Sequence, residues 1–354
     1  MLEVDLSGLN ALAPGLRRLL LAWWEAHGRH TIPWKRGDAG ARPSPGEPLH
    51  PYPIWVAEVM LQQTQLLVVL PYWQRWMAAF PSLEALAAAE EHDVLLLWQG
   101  LGYYSRARRL HQGARQLLGQ PWPRTLESWL ALPGIGRSTA GSILSSAFDL
   151  PFAILDGNVK RVLARLIASP RPPARQLLGL WQLSESLLDP QRPRAFNQAL
   201  MDLGATVCLP RKTQCERCPV SAGCQARARG EPLAYPVKTR KLKRSSATLW
   251  LLWAVNAQGQ VWLQKRPDKG IWAGLFSLPV FESEADLLAA WTQGGEPRYI
   301  SSWKHVLTHR DLHLHPIHML GFEQLPPVCE GQWVDAHAWP DLGLPAPIRA
   351  LLGS

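Results

Sequence analysis

Two acids, a glycine-punctuated turn and a cluster of thiols are the residues of this chain whose types and spacing could do chemistry. Glu58 is the single acid in "PIWVAEVMLQQTQLLVVL", an apolar helical run, and Leu61, Gln62 and Gln65 share its face at i+3, i+4 and i+7. A carboxylate in such a helix costs stability unless it is paired or neutral, which marks Glu58 as a functional acid rather than a solvated edge residue. Asp156, in "ILDGNVKRVLARL", follows an apolar run and stands just before a basic helix. Between them lies "LPGIGRSTAG", in which Gly134 and Gly136 precede a helix start that includes Ser138. A tight turn of small residues at a helix N-terminus exposes backbone N–H groups, a site for phosphate that is blind to base sequence. Alone, that motif favours a plain helix–turn–helix connection.

Four of the five cysteines fall in "CLPRKTQCERCPVSAGC": Cys208, Cys215, Cys218 and Cys224, separated by six, two and five residues. In a chain without an export signal, clustered thiols read as metal ligands rather than disulfides. One Cys-x2-Cys pair is fewer than a zinc ribbon presents, so a four-thiolate iron–sulfur cluster fits the spacing at least as well as zinc. Cys329, far from the others, reads as a small buried apolar residue.

The elements that must position these groups follow from periodicity. From Leu12 to Cys208 apolar residues recur at helical spacing, giving an all-helical region of about ten helices punctuated by Pro and Gly. From Ala247 onward short β-rich runs such as "TLWLLWAV" and "DLHLHPIHM" alternate with turns, and "SEADLLAAWTQ" reads as a helix, which makes this half α+β. The expected organisation is a helical domain over 1–226, a basic linker over 227–246 and an α+β domain over 247–354. A second irregular stretch, 35–53, reads as a surface loop, and no fixed-period repeat is found. The net charge of +9 favours an anionic partner such as nucleic acid. The acidic N-terminus and the short apolar run Leu19 to Trp24 imply neither export nor membrane insertion.

Taken together, "LPGIGRSTAG", "LDGNVKRVLAR" and the six-two-five cysteine loop resemble the helix-hairpin-helix DNA glycosylases that carry a four-iron, four-sulfur cluster. "WVAEVMLQQTQ" and "GLGYYSRARRLH" narrow the resemblance to the adenine DNA glycosylases of the MutY type. The resemblance implies an enzyme that flips out adenine mispaired with 8-oxoguanine, and with guanine, and cuts its N-glycosidic bond. It implies Glu58 as general acid and Asp156 as electrostatic partner or nucleophile. Adenine leaves poorly until N7 is protonated, and the oxocarbenium-like sugar left behind needs a nearby negative charge. Ser138 occupies the position where bifunctional relatives carry a Schiff-base lysine, which implies a monofunctional enzyme leaving an abasic site. Lys160 stands close by in sequence and could trap product weakly.

The same resemblance nominates Trp34, Asn158 and Gln198 for the adenine pocket, and Gln63, Thr64, Leu101 and Tyr103 for contacts on the lesion side. It assigns the four cysteines to the cluster, with Arg211, Lys212 and Arg217 forming a basic loop toward the DNA backbone. "VWLQKRPDKGIWAGLFSLPVFE" resembles the opening of a Nudix-type domain, but Glu282, Glu284 and Asp286 lack the magnesium-binding pattern, so recognition without hydrolysis is implied. Leu307, Thr308 and His309 replace or match the Phe-Ser-His stretch of the family's lesion-reading hairpin, which implies that the hydroxyl is retained while the aromatic is lost. His313, His315 and His318 read as polar-face strand residues. The implied partner is double-stranded DNA, bound by a monomer in the cytoplasm at the nucleoid. The rival readings are a bifunctional endonuclease III-like lyase and a non-catalytic DNA-binding module.

Overall fold

The structure is a computed structural model that describes residues 7–37, 40–238, 244–290, 296–308, 310–322 and 330–353. In chain order its helices begin with α1 (Ser7–His27), α2 (Pro51–Met60), α3 (Leu66–Ala79), α4 (Leu83–Ala88), α5 (Glu91–Trp98) and α6 (Ser105–Leu117). They continue with α7 (Leu126–Leu130), α8 (Arg137–Phe148), α9 (Gly157–Leu166), α10 (Leu177–Leu187), α11 (Pro193–Thr206) and a single turn, α12 (Gln225–Ala228). The strands are β1 (Ser245–Asn256), β2 (Val261–Lys265), β3 (Phe276–Ser277), β4 (Val280–Phe281), β5 (Arg298–Tyr299), β6 (Trp303–Val306), β7 (Arg310–Phe322) and β8 (Gln332–Val334). Helix α13 (Glu284–Ala290) lies between β4 and β5, and α14 (Ala346–Leu352) closes the order. Eleven α-helices thus occupy the described part of the region read as about ten, and β1 starts two residues inside the stretch read as linker. Cys329 and His309 lie outside the described residues.

The contacts divide the chain into two compact units, Met1–Val69 with Gln116–Arg240, and Leu70–Arg115 with Lys241–Ser354. In the first, α1, α9, α10 and α11 bury one core that includes Leu20, Leu163, Leu183 and Leu203. Helix α2 is buried on nearly every side: Pro51 sits at its first turn, and Trp55 meets Trp129 of α7 edge-on at 5.7 Å. Glu58 is its single acid and, with Pro53, one of its two residues that are not fully buried. Helix α8 packs between α2 and α11, and its approach to the segment before α9 is set by Gly141. A Cβ there would stand 2.4 Å from the Ala153 carbonyl oxygen.

In the second unit, α3–α6 accompany an eight-stranded sheet of central order β3-β2-β1-β7-β5. β1 and β7 run parallel from Ser245↔Arg310 to Val255↔Leu320, and every other pairing is antiparallel. The period of two sends Leu251 and Leu314 to a core shared with Ile348 of α14, and Leu252, Ala254 and Ile317 to a core shared with Leu287 of α13. A helix on each face of the sheet agrees with the α+β expectation. His315 stacks on Trp250 and His318 packs on Trp253, both with ring centroids 4.6 Å apart, while His313 is exposed.

Candidate active site

A cavity of about 890 Å³ opens in the first unit between α2, α8, α9 and α11. Of the residues nominated from sequence, Trp34, Glu58, Gln63, Thr64, Ser138, Asp156, Asn158 and Gln198 all border it. Residues separated by well over a hundred positions are therefore brought to one wall.

Glu58 is largely buried, and its Oε1 faces Lys35 Nζ at 3.4 Å. Lys35, whose ammonium also contacts Ser146 Oγ, borders the same cavity and was not picked out from sequence. It follows Trp34 in a short 3₁₀ turn, where no periodicity signals a buried cation. Burial disfavours the charged lysine, and Glu58 opposes that by favouring it.

Asp156 is the N-cap of α9: its Oδ1 accepts from Val159 N–H at 2.7 Å, the ordinary device for an unpaired first-turn donor. Burial raises its pKa above the usual aspartate value, the Val159 amide works against that, and the charge of Glu58 adds to it. The α9 turn is fastened from behind by Arg161, which donates to Asn158 Oδ1 at 2.8 Å, to Gly204 O at 2.6 Å and to Cys208 O at 2.8 Å. Gly204 is required at that approach, because a Cβ would stand 2.7 Å from Asn158 Cβ.

On the α11 wall, fully buried Asp202 accepts from Trp24 Nε1, from Arg29 N–H and Nε, and from Gln198 Nε2 at 2.6–3.0 Å. Because a carboxylate can only accept, this fixes the Gln198 amide with its nitrogen toward Asp202. Its Oε1 is buried and has no partner, as does Ser142 Oγ on α8.

The hairpin forms as its sequence demands. Gly134 adopts φ 79°, Gly136 caps α8, and Ser138 Oγ accepts from Leu155 N–H at 3.0 Å, tying the hairpin helix to the residue before Asp156. Gln63, at φ 61°, and Thr64 form the turn from α2 to α3. In the second unit Leu101 is buried, 7% exposed, whereas Tyr103, at φ 49°, is 38% exposed. Tyr103 Oη is in hydrogen-bond contact with Thr308 Oγ1, so two residues 205 positions apart meet as hydroxyls. Arg106, also missed from sequence, lies between the Trp98 and Tyr103 rings and donates to Leu101 O and Gly102 O at 3.1 Å, holding that turn.

The four cysteines are free thiols in a loop of short turns after α11. Burial, with smaller contributions from Cys208, Cys224 and Cys215, opposes ionisation of Cys218, and Arg165, fully buried on α9, donates to Cys208 Sγ at 3.2 Å. Unbridged thiols with a charged donor on one sulfur are chemically compatible with thiolate ligation. Among the described residues no three His, Cys, Asp or Glu side chains form a group that could hold a single metal ion.

A helical unit with a glycine hairpin, whose cavity is bordered by a buried acid and a helix-capping carboxylate, agrees with the class of base-excision DNA glycosylases that the family model describes. The model for the HhH-GPD superfamily of base excision DNA repair proteins matches residues 56–180, and that for the NUDIX domain matches residues 250–354. The adenine DNA glycosylase of Buchnera aphidicola subsp. Schizaphis graminum is 32% identical over 349 residues, 95% of this chain and 97% of that protein. The human adenine DNA glycosylase is 47% identical over 221 residues, 61% of this chain and 40% of that longer protein. A thermostable thymine-DNA glycosylase of known structure is similar with TM-score 0.54 and 25% identity, covering 64% of this chain and all of that one. The chain belongs to the adenine DNA glycosylase family, hydrolases of N-glycosyl bonds in base excision repair, and carries its Nudix-like C-terminal domain.

Proposed function

We propose that this protein excises adenine paired opposite 8-oxoguanine, and opposite guanine, from double-stranded DNA. The observation that carries this reading is that Glu58 and Asp156 border one cavity, with Trp34, Asn158 and Gln198 around them. Extruding the adenine costs a few kcal/mol of lost stacking and pairing, least for a mispaired base. Glu58 delivers a proton to N7, the C1′–N9 bond breaks with its electron pair going to the base, and the positive sugar is left facing Asp156. Water then adds at C1′, and the proton it loses returns to the Glu58 carboxylate. An abasic site remains.

A hydroxyl at Ser138, already accepting from Leu155 N–H, supplies no amine for a Schiff base and supports a monofunctional reaction. Lys160 borders the cavity, as Lys35 does, and an amine there favours the lyase alternative. Borohydride should trap little complex; efficient trapping with strand scission would sink the monofunctional reading. Thr308 and Tyr103 supply hydroxyls for the altered N7 edge of 8-oxoguanine, and the Nudix-like domain, 247–354, recognises rather than hydrolyses. Cys208, Cys215, Cys218 and Cys224 would hold a four-iron, four-sulfur cluster. When bound it braces the loop that carries Arg211, Lys212 and Arg217, which meet the phosphate backbone. Among the described residues no helix is long and apolar enough to cross a membrane.

Single-turnover cleavage of an adenine:8-oxoguanine duplex, against adenine:thymine and with Glu58→Gln, tests the reading. The variant should lose about 10²- to 10⁴-fold. Unchanged cleavage would remove Glu58 as the acid.

A further inference from the structure

Three serines lie one helical turn apart along the same face of α8: Ser138, Ser142 and Ser146. Ser138 Oγ accepts from Leu155 N–H, and Ser146 Oγ is taken by Lys35. Ser142 is 4% exposed, borders the cavity, and its hydroxyl has no partner. On the facing α11, Gln198 is 6% exposed and its Oε1 is equally without a partner, because Asp202 has claimed the amide nitrogen. A buried polar atom without a partner is costly and rare, and two of them in the wall of one cavity point to a ligand that completes both.

The pair offers one acceptor, Gln198 Oε1, and one hydroxyl able to donate, Ser142 Oγ. The Watson–Crick edge of adenine presents the complement on adjacent atoms, the N6 amino donor beside the N1 acceptor. Guanine presents the reverse, O6 as acceptor beside N1–H as donor, and would set two acceptors, O6 and Gln198 Oε1, against each other even with the Ser142 hydroxyl turned to accept from N1–H. We infer that Ser142 is a specificity-determining residue that donates a hydrogen bond to N1 of the extruded adenine while Gln198 Oε1 accepts from its N6 amino group. This rests on the cavity being the adenine pocket. Glu58 works at N7 on the other ring of the base, so recognition and protonation are carried by different helices, α8 with α11 for the edge and α2 for the proton. A site built to hydrogen-bond an atom of its substrate discriminates strongly against analogues that lack it.

The test is a cycle between a protein hydroxyl and a substrate atom, run as single-turnover cleavage by the full-length protein. The duplexes carry adenine, 1-deazaadenine or 3-deazaadenine opposite 8-oxoguanine, and the proteins are wild type, Ser142→Ala, Ser142→Cys and Glu58→Gln. Intrinsic differences in leaving-group quality cancel within each base. Ser142→Ala and Ser142→Cys should each lose about tenfold on adenine and on 3-deazaadenine, and nothing further on 1-deazaadenine, where N1 is absent. Equal fractional losses on all three bases, a loss erased only by 3-deazaadenine, or no loss at all would each overturn the assignment. Two variants keep the outcome readable if one of them folds poorly. Unaltered cleavage by Glu58→Gln would remove the pocket reading itself, whereas abolished cleavage without coupling to N1 would remove Ser142 alone.

Discussion

The ammonium of Lys35 stands 3.4 Å from Oε1 of Glu58, with each side chain only 12% exposed. Burial works against the charge on Lys35, and Glu58 favours it. Asp202 adds to that field around Lys35 and Arg194 opposes it. Lys35→Gln leaves Glu58 without its ion-pair partner and should lower the single-turnover cleavage rate, with Lys35→Arg recovering part of it. Equal rates for all three proteins would contradict a role for the pair.

Asp156 should be a stability cost at neutral pH. Its folded pKa lies above the ordinary aspartate value, chiefly through burial, so the native state holds the proton more tightly than the unfolded chain. The cost is fully present above the folded pKa and vanishes as pH falls through it to the unfolded value. Asp156→Asn keeps a capping side chain and should be about 1 kcal/mol more stable at pH 7. Thermal unfolding should then give a higher Tm for the variant at neutral pH, with the gap closing in acid.

Arg161 ties Asn158, Gly204 and Cys208 together. Arg161→Met should leave these acceptors without a donor and cost about 2–4 kcal/mol in chemical denaturation, with a parallel loss of cleavage. Arg161→Lys should recover only part, because one ammonium cannot reproduce the guanidinium fork.

The hydroxyl contact between Tyr103 and Thr308 predicts non-additivity. Tyr103→Phe and Thr308→Val should each reduce the preference for 8-oxoguanine over guanine opposite the adenine, and the double variant should lose less than the two combined. A coupling of about 1 kcal/mol is expected.

Gly141→Ala should destabilise the first unit by about 2 kcal/mol or more, since the added Cβ meets a backbone carbonyl that cannot rotate away. Cleavage should fall as well, because the displaced strand of chain leads directly into Asp156.

Much of this was legible in the sequence where one residue type had to satisfy a local rule. Gly134 and Gly136 announced a turn, a lone acid in an apolar helix announced Glu58, and period-two runs announced β1 and β7. Lys35, Ser142 and Arg106 were not legible. Each is a common residue in unremarkable surroundings, and its meaning comes from partners on other elements: Glu58 and Ser146, the unmatched Gln198 oxygen, and the rings of Trp98 and Tyr103. Sequence periodicity reports which face a residue takes. It does not report what waits there.

Because Asp156, proposed as the charge facing the sugar, is also the cap of α9, its place depends on a helix end, the part of any helix that opens first. Fraying of that single turn would release the carboxylate from its amide and spoil its position in the cavity that Glu58 also borders long before the core let go. The enzyme would then have an inactivation temperature below its melting temperature, and the distance between the two would measure how firmly one backbone N–H holds one side chain.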